Sequence, residues 1–170
     1  MRRILGTLLP ILILGLCGAV TCFVTGSASA ETALASAEGE KDPLHLEVTE
    51  LKRTSGGTVS LKFTVTNTGD KVVNFGSEYF ADSEYMSGGH REDNHTVGGV
   101  HLVDAVNKKK YLVVRDKTTS ACVCSKQLDK LQPGARLNLW AKFPAPPADV
   151  QLISVVVPNF SLMDDLPLGP

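Results

Sequence analysis

An excess of charge of either sign is the first thing this chain lacks: 17 Lys and Arg stand against 18 Asp and Glu, for a formal net charge of -1. Nucleic-acid binding draws on clustered Lys and Arg that displace counterions from phosphate, so that class of partner is not expected. Aromatic residues are scarce, at 6% with a single Trp, and there are four Cys. The chain also lacks a Gly-x-Ser-x-Gly elbow, a His-Glu-x-x-His pair and a phosphate-cradling Gly-rich motif. Asp82, Glu84, Glu92 and Asp93 do not reproduce EF-hand spacing. Asp164 and Asp165 are adjacent in a Pro-rich stretch, where solvation explains them better than acid-base work. These residues imply no enzyme and no cofactor.

What is present begins with a leader. Arg2 and Arg3 precede an apolar run over residues 4–24, and Gly26, Ser27, Ala28, Ser29 and Ala30 close it with small side chains, as in a signal peptide cleaved after Ala30. The protein is therefore expected outside the membrane, secreted or extracellular. Two alternatives stay open. An uncleaved run of about 20 apolar residues can span a bilayer and anchor the chain through residues 4–24, and Cys17 or Cys22 could carry lipid, although neither follows the small residue that lipoprotein signals place before the Cys. Residues 31–43, rich in Ala, Ser, Glu, Gly and Lys, read as a flexible tether. Residues 44–168 then form one domain.

The domain reads as strands. Val59, Leu61, Phe63 and Val65 alternate with Ser60, Lys62, Thr64 and Thr66, which puts every apolar side chain on one face of a half-buried strand. Asn67, Thr68, Gly69 and Asp70 make a turn, and Val72 to Phe75 resumes the apolar run, so the pair is expected to form a hairpin. Leu44, Leu46 and Val48 alternate as well, but Leu51 falls out of phase, which places a bulge near Glu50 or ends the strand there. Val100 to Asp104 is a further strand, and the apolar run KYLVVR at 110–115 suggests a central strand covered on both faces. A short strand at 121–125, the turn Leu131-Gln132-Pro133-Gly134, an alternating strand from Arg136 to Phe143 stopped by Pro144, Pro146 and Pro147, and a last strong strand at 151–157 complete the set. Residues from Asp164 on read as a tail, with Leu162, Leu166 and Leu168 able to add an edge strand. Seven to eight short strands without a long helical period predict an all-β, antiparallel, immunoglobulin-like β-sandwich.

The stretches TVSLKFTVTNTGDKVVNF, GVHLVDAVNKKKYLVVRD, CVCS and WAKFPAPPADVQLISVVVPNF resemble the immunoglobulin-like domains of secreted actinobacterial proteins of uncharacterised role. Some of those proteins resemble OmpA-type proteins with an appended peptidoglycan-binding domain. The resemblance implies a secreted sandwich and brings no catalytic residues. The 170 residues leave no room for the appended domain, so its cell-wall role is not carried over.

Candidate site residues fall in three groups. Residues 76–99 form a long Gly-punctuated stretch whose Tyr79, Phe80, Tyr85 and Met86 either plug one end of the core or form a binding loop. Trp140 lies on the polar register of its strand, as an exposed binding aromatic or one packed beneath a loop. Cys122 and Cys124, beyond the leader, are expected to pair in an oxidising compartment. Residues two apart on an ideal strand sit roughly 6.6 Å apart, near the upper limit for a disulfide, so bridging would bend the chain. Free thiols, redox exchange and metal binding remain readings of the pair, the last with His90, His95 and His101 as partners for Zn or Cu. Asn94-His95-Thr96 and Asn159-Phe160-Ser161 are glycosylation sequons, meaningful only where a secretory pathway reads them. The leading expectation is an exported, non-catalytic binding or structural module at the cell envelope, with an unknown envelope or extracellular ligand that could be a protein. The alternative is a metal-handling or thiol-redox protein using Cys122 and Cys124 with the loop histidines.

Overall fold

The computed structural model describes residues 32–76, 79–80 and 95–170. The leader expected at 1–30, together with Tyr85, Met86, His90 and Asn94, lies outside the described residues. Ten strands are present among the described residues: β1 (Ala35–Glu38), β2 (Leu44–Thr54), β3 (Thr58–Asn67), β4 (Val73–Asn74), β5 (His101–Asp104), β6 (Lys109–Leu112), β7 (Lys130–Leu131), β8 (Arg136–Pro144), β9 (Leu152–Val156) and β10 (Met163–Pro167). They pair antiparallel in two four-stranded sheets, ordered β1-β2-β3-β8 and β10-β9-β5-β6, with β4-β7 as a two-stranded ribbon. The protein is an all-β antiparallel sandwich. Among the described residues no helix is long and apolar enough to cross a membrane.

Alternation builds the core as expected. Val59, Leu61, Phe63 and Val65 of β3 are buried, with Leu44, Leu46 and Val48 of β2 on one side and Leu139, Ala141 and Phe143 of β8 on the other. Leu102, Ile153 and Val155 of the second sheet join the same apolar cluster. The register of β2 against β3 slips between Val48 and Glu50, so Val48 faces Phe63 and Leu51 faces Leu61. That bulge returns the out-of-phase Leu51 to the core, where it is buried.

Three expectations need correction. The hairpin after β3 does not form: β3 lies between β2 and β8, so both its edges are taken, and β4 pairs with β7 instead. Asn67 redirects the chain. Its buried side-chain amide donates to the carbonyls of Lys71 at 2.7 Å and Leu131 at 3.0 Å while its Oδ1 accepts from Gly69 N–H at 3.0 Å. A Cβ on Gly69 would run into the Pro43 ring, so the turn is pressed against the start of β2. The tether is not wholly a tether, since Ala35–Glu38 forms strand β1 along β2 and buries Ala37. The run at 110–115 is not central either: β6 is an edge strand, and Leu112 is exposed. Beyond it, Val114 N–H bonds to Lys142 O at 2.8 Å, carrying the chain from one sheet to the other. Of the two readings of the last residues, the edge strand is the one present: β10 pairs with β9 with a register shift between Met163 and Leu166, Ser154 Oγ donating to Asp164 Oδ1 at 2.8 Å across it.

Candidate functional site

Strand β8 turns Leu139, Ala141 and Phe143 inward, which leaves Asn138, Trp140 and Lys142 on the outer face. Trp140 stands opposite Lys62 of β3 and Asn138 opposite Thr64, whose hydroxyl donates to Asn138 Oδ1 at 2.9 Å. Trp140 is 40% exposed. It separates two adjoining grooves. A hollow of about 310 Å³ lies over the sheet face between Thr49, Lys62, Thr64, Asn138 and Trp140. A larger groove of about 520 Å³ lies on the other side, between residues 137–140 of β8 and the wall 124–130.

The wall is held off β8 by its own bonds. Residues 122–125 run along the strand: Lys142 N–H donates to Val123 O at 3.1 Å, Ser125 N–H to Trp140 O at 2.9 Å, and Trp140 N–H to Ser125 Oγ at 2.9 Å. After Ser125 the chain leaves, with Gln127 at positive φ. Leu128 N–H donates to His95 O at 2.9 Å, the His95 ring bonds back to Leu128 O at 2.6 Å, and Lys130–Leu131 pairs with β4. A gap therefore opens beside the first half of β8. Its polar lining combines Asn138, Gln127, Asp129, Lys126 and Lys130, and its apolar lining Leu128, Leu137 and Trp140.

The other candidate residues are placed differently. Phe80 is buried, and its ring stacks with Phe160 at 6.2 Å between centroids. Tyr79 is half-buried, meets the edges of Phe75 and Phe80 at 5.2 and 4.9 Å, and donates its hydroxyl to Asp42 Oδ2 at 2.9 Å. Burial first, and the Asp42 carboxylate second, push the Tyr79 hydroxyl well above its usual pKa. Asn159 Nδ2 donates to Tyr79 O at 2.6 Å, so the second sequon's amide is engaged at the same plug. These two aromatics pack the end of the core because an apolar ring left wet would forgo the burial that three neighbouring rings offer. Of the two readings, Phe80 therefore takes the core plug, with Tyr79 half-buried beside it, while Tyr85 and Met86 lie outside the described residues.

Cys122 and Cys124 are bonded to each other with Cα atoms 5.4 Å apart, and both are buried. The separation is shorter than an ideal strand allows, and the pair sits in isolated bridges, Cys122 to Arg115 and Cys124 to Ala141, instead of a regular strand. In this form neither sulfur is a thiolate that could ligate a metal. His95 is exposed and turned to Leu128, and His101 of β5 places Nδ1 3.0 Å from Gly99 O. Among the described residues no group of three or more His, Cys, Asp or Glu could hold a metal ion.

Of the sequence candidates, Trp140, Cys122 and Cys124 come together along β8. Lys62, Thr64, Asn138 and the wall at 126–130 join them without having been singled out. The parity of β8 already groups Asn138 with Trp140, whereas the wall carries no pattern that assigns it to that strand. No family model, no curated protein and no solved structure matches this chain.

Proposed function

We propose that this protein is an exported, non-catalytic binding module of the cell envelope whose contact surface is the Trp140 face of the sandwich. The observation that carries the reading is the pair of grooves meeting at one half-exposed Trp with Asn138, Thr64 and Lys62 around it. A rigid strand presenting an amphipathic ring beside hydrogen-bonding groups is a surface suited to recognition. Export is supported by the leader-like residues 2–30 and by a disulfide of the kind that persists in oxidising compartments. Kinship with the immunoglobulin-like domains of secreted actinobacterial proteins belongs to the same proposal, on the stretches quoted for it.

Trp140 is the one Trp in the chain, so its fluorescence reports directly on the site. Purified envelope fractions, polysaccharide and protein separately, are titrated against the protein. The expected result is a saturable shift in Trp140 emission with one fraction, and an affinity at least about tenfold weaker for Trp140→Ala by co-sedimentation. Binding that ignores Trp140→Ala sinks the assignment of the site. For export, the intact mass of the secreted protein without reductant is expected to begin at Glu31 and to lie about 2 Da below the fully reduced value.

A further inference from the structure

Successive residues of an antiparallel strand send their N–H and C=O groups to opposite sides. On β8, Trp140 and Lys142 send theirs away from β3: Ser125 N–H reaches Trp140 O at 2.9 Å, Val114 N–H reaches Lys142 O at 2.8 Å, and Lys142 N–H reaches Val123 O at 3.1 Å. By the same parity Asn138 and Arg136 direct their N–H and C=O outward too. Among the described residues these four groups have no hydrogen-bond partner. The groove of about 520 Å³ opened where the chain departs after Ser125 is lined by residues 137–140 of this edge, so Asn138 faces it and Arg136 lies just beyond its end.

We propose that this groove takes an extended peptide, which pairs with Arg136 and Asn138 as an added strand in line with the chain's own Cys124–Ser125 segment. The proposal rests on the reading of the Trp140 face as a binding surface and names the ligand's class. Alternating donors and acceptors along roughly 7 Å of strand edge are matched by another extended backbone. The side chains beside the edge alternate in step. A peptide residue on the inner side would meet Leu128, Leu137 and Leu139, and its neighbours on the outer side would lie by Asn138 and Trp140. The wall adds Lys126 and Lys130 against Asp129, one net positive charge, which favours an acidic residue among the outward positions. A free edge of this kind invites uncontrolled pairing, and the rest of β8 is covered by residues 122–125. Only its first half is left to a ligand.

The test uses a phage-displayed library of random nonapeptides selected on the disulfide-intact protein, with enriched peptides synthesised and titrated by Trp140 emission. Each peptide is then N-methylated one residue at a time. Strand addition predicts an affinity loss of about tenfold or more at alternate residues and little change between them, because only every second N–H faces β8. Asn138→Pro removes the outward N–H without breaking a β3–β8 bond and is expected to bind at least about tenfold more weakly than Asn138→Ala, which keeps that N–H. If Asn138→Pro does not fold, the methylation pattern decides. Peptides that bind without alternation overturn strand addition and leave the binding module standing. No enriched peptide, with a polysaccharide fraction that shifts Trp140 emission, overturns the peptide class alone. No response to either overturns both readings.

Discussion

Tyr111 on β6 is buried, and its hydroxyl has no hydrogen-bond partner among the described residues. Burial pushes that hydroxyl above its usual pKa, and Lys109 Nζ sits 5.1 Å over the ring. A buried donor left unsatisfied costs about 1–3 kcal/mol, so Tyr111→Phe is expected to leave stability unchanged or raise it by up to about 2 kcal/mol in urea denaturation. A loss of more than about 1 kcal/mol would reveal an ordered partner for the hydroxyl. Carboxylates behave in the opposite sense. The backbone N–H of Asn107 at 3.0 Å and its side-chain amide at 2.7 Å hold Asp104 below the usual carboxylate range. Thr119 and Thr118 do the same for Asp116, and Lys52 chiefly, with Lys62, for Glu50. Because the folded pKa is lowered in each case, the stability they contribute is full above the unfolded value of about 4 and is lost as pH falls through the folded value. The melting temperature is expected to drop between about pH 5 and pH 2, and Asp104→Asn, which has no proton to gain, should show a shallower fall.

At the scale of elements, residues 113–125 act as an arm that crosses from β6 and closes the second half of β8. The disulfide within it spans so few residues that the chain-entropy account allows at most about 1.6 kcal/mol. Reduction should therefore loosen the arm without unfolding the sandwich. Hydrogen exchange is expected to quicken at Val123, whose amide bonds within the arm, and at Val114 and Lys142, whose amides tie the arm to β8, and to stay slow along β2 and β3. Global unfolding on reduction would contradict this. The arm also explains why residues 110–115 read as a central strand: an apolar run reads the same whether sheet or arm covers it, and here Tyr111 and Val113 are buried while Leu112 is exposed. Strand β1 was hidden for a related reason. It buries one small side chain, Ala37, and holds by backbone pairing with residues 45–48, which leaves no apolar period to read.

For the whole molecule, the decisive feature is how the sheets are joined at their margins. β1 pairs with the first part of β2, and Gly169 takes over beyond the bulge, donating to Leu51 O at 3.0 Å and accepting from Arg53 N–H at 2.9 Å. Leu168 is buried beside it, and its N–H donates to Gln151 O at 2.8 Å. Phe160 bridges to Gly39, so the loop before β10 is tied to the end of β1. Removal of residues 168–170 exposes one Leu site and breaks three backbone bonds, for an expected cost of about 3–5 kcal/mol in urea denaturation. A cost below about 1 kcal/mol would mean that the strap is not part of the cooperative unit.

Alternation at residues 44–48, 59–66 and 136–143, with Gly and Pro at the turns, determined by itself that the chain is all-β and which side chains of β2, β3 and β8 enter the core. The break in phase at Leu51 was legible too, as a bulge or a strand end, and the structure has the bulge. Those signals are local: each depends on which face a side chain takes within its own strand. The choice of partner strand is not local, because a period of two is the same whichever neighbour supplies the hydrogen bonds. Only the tertiary structure could decide that β4 leaves β3 for β7, that Phe80 packs on Phe160, and that residues 126–130 stand away from β8. The groove beside Trp140 exists because of that last departure, which is set by bonds from His95 and β4 that lie far along the chain from the strand they expose.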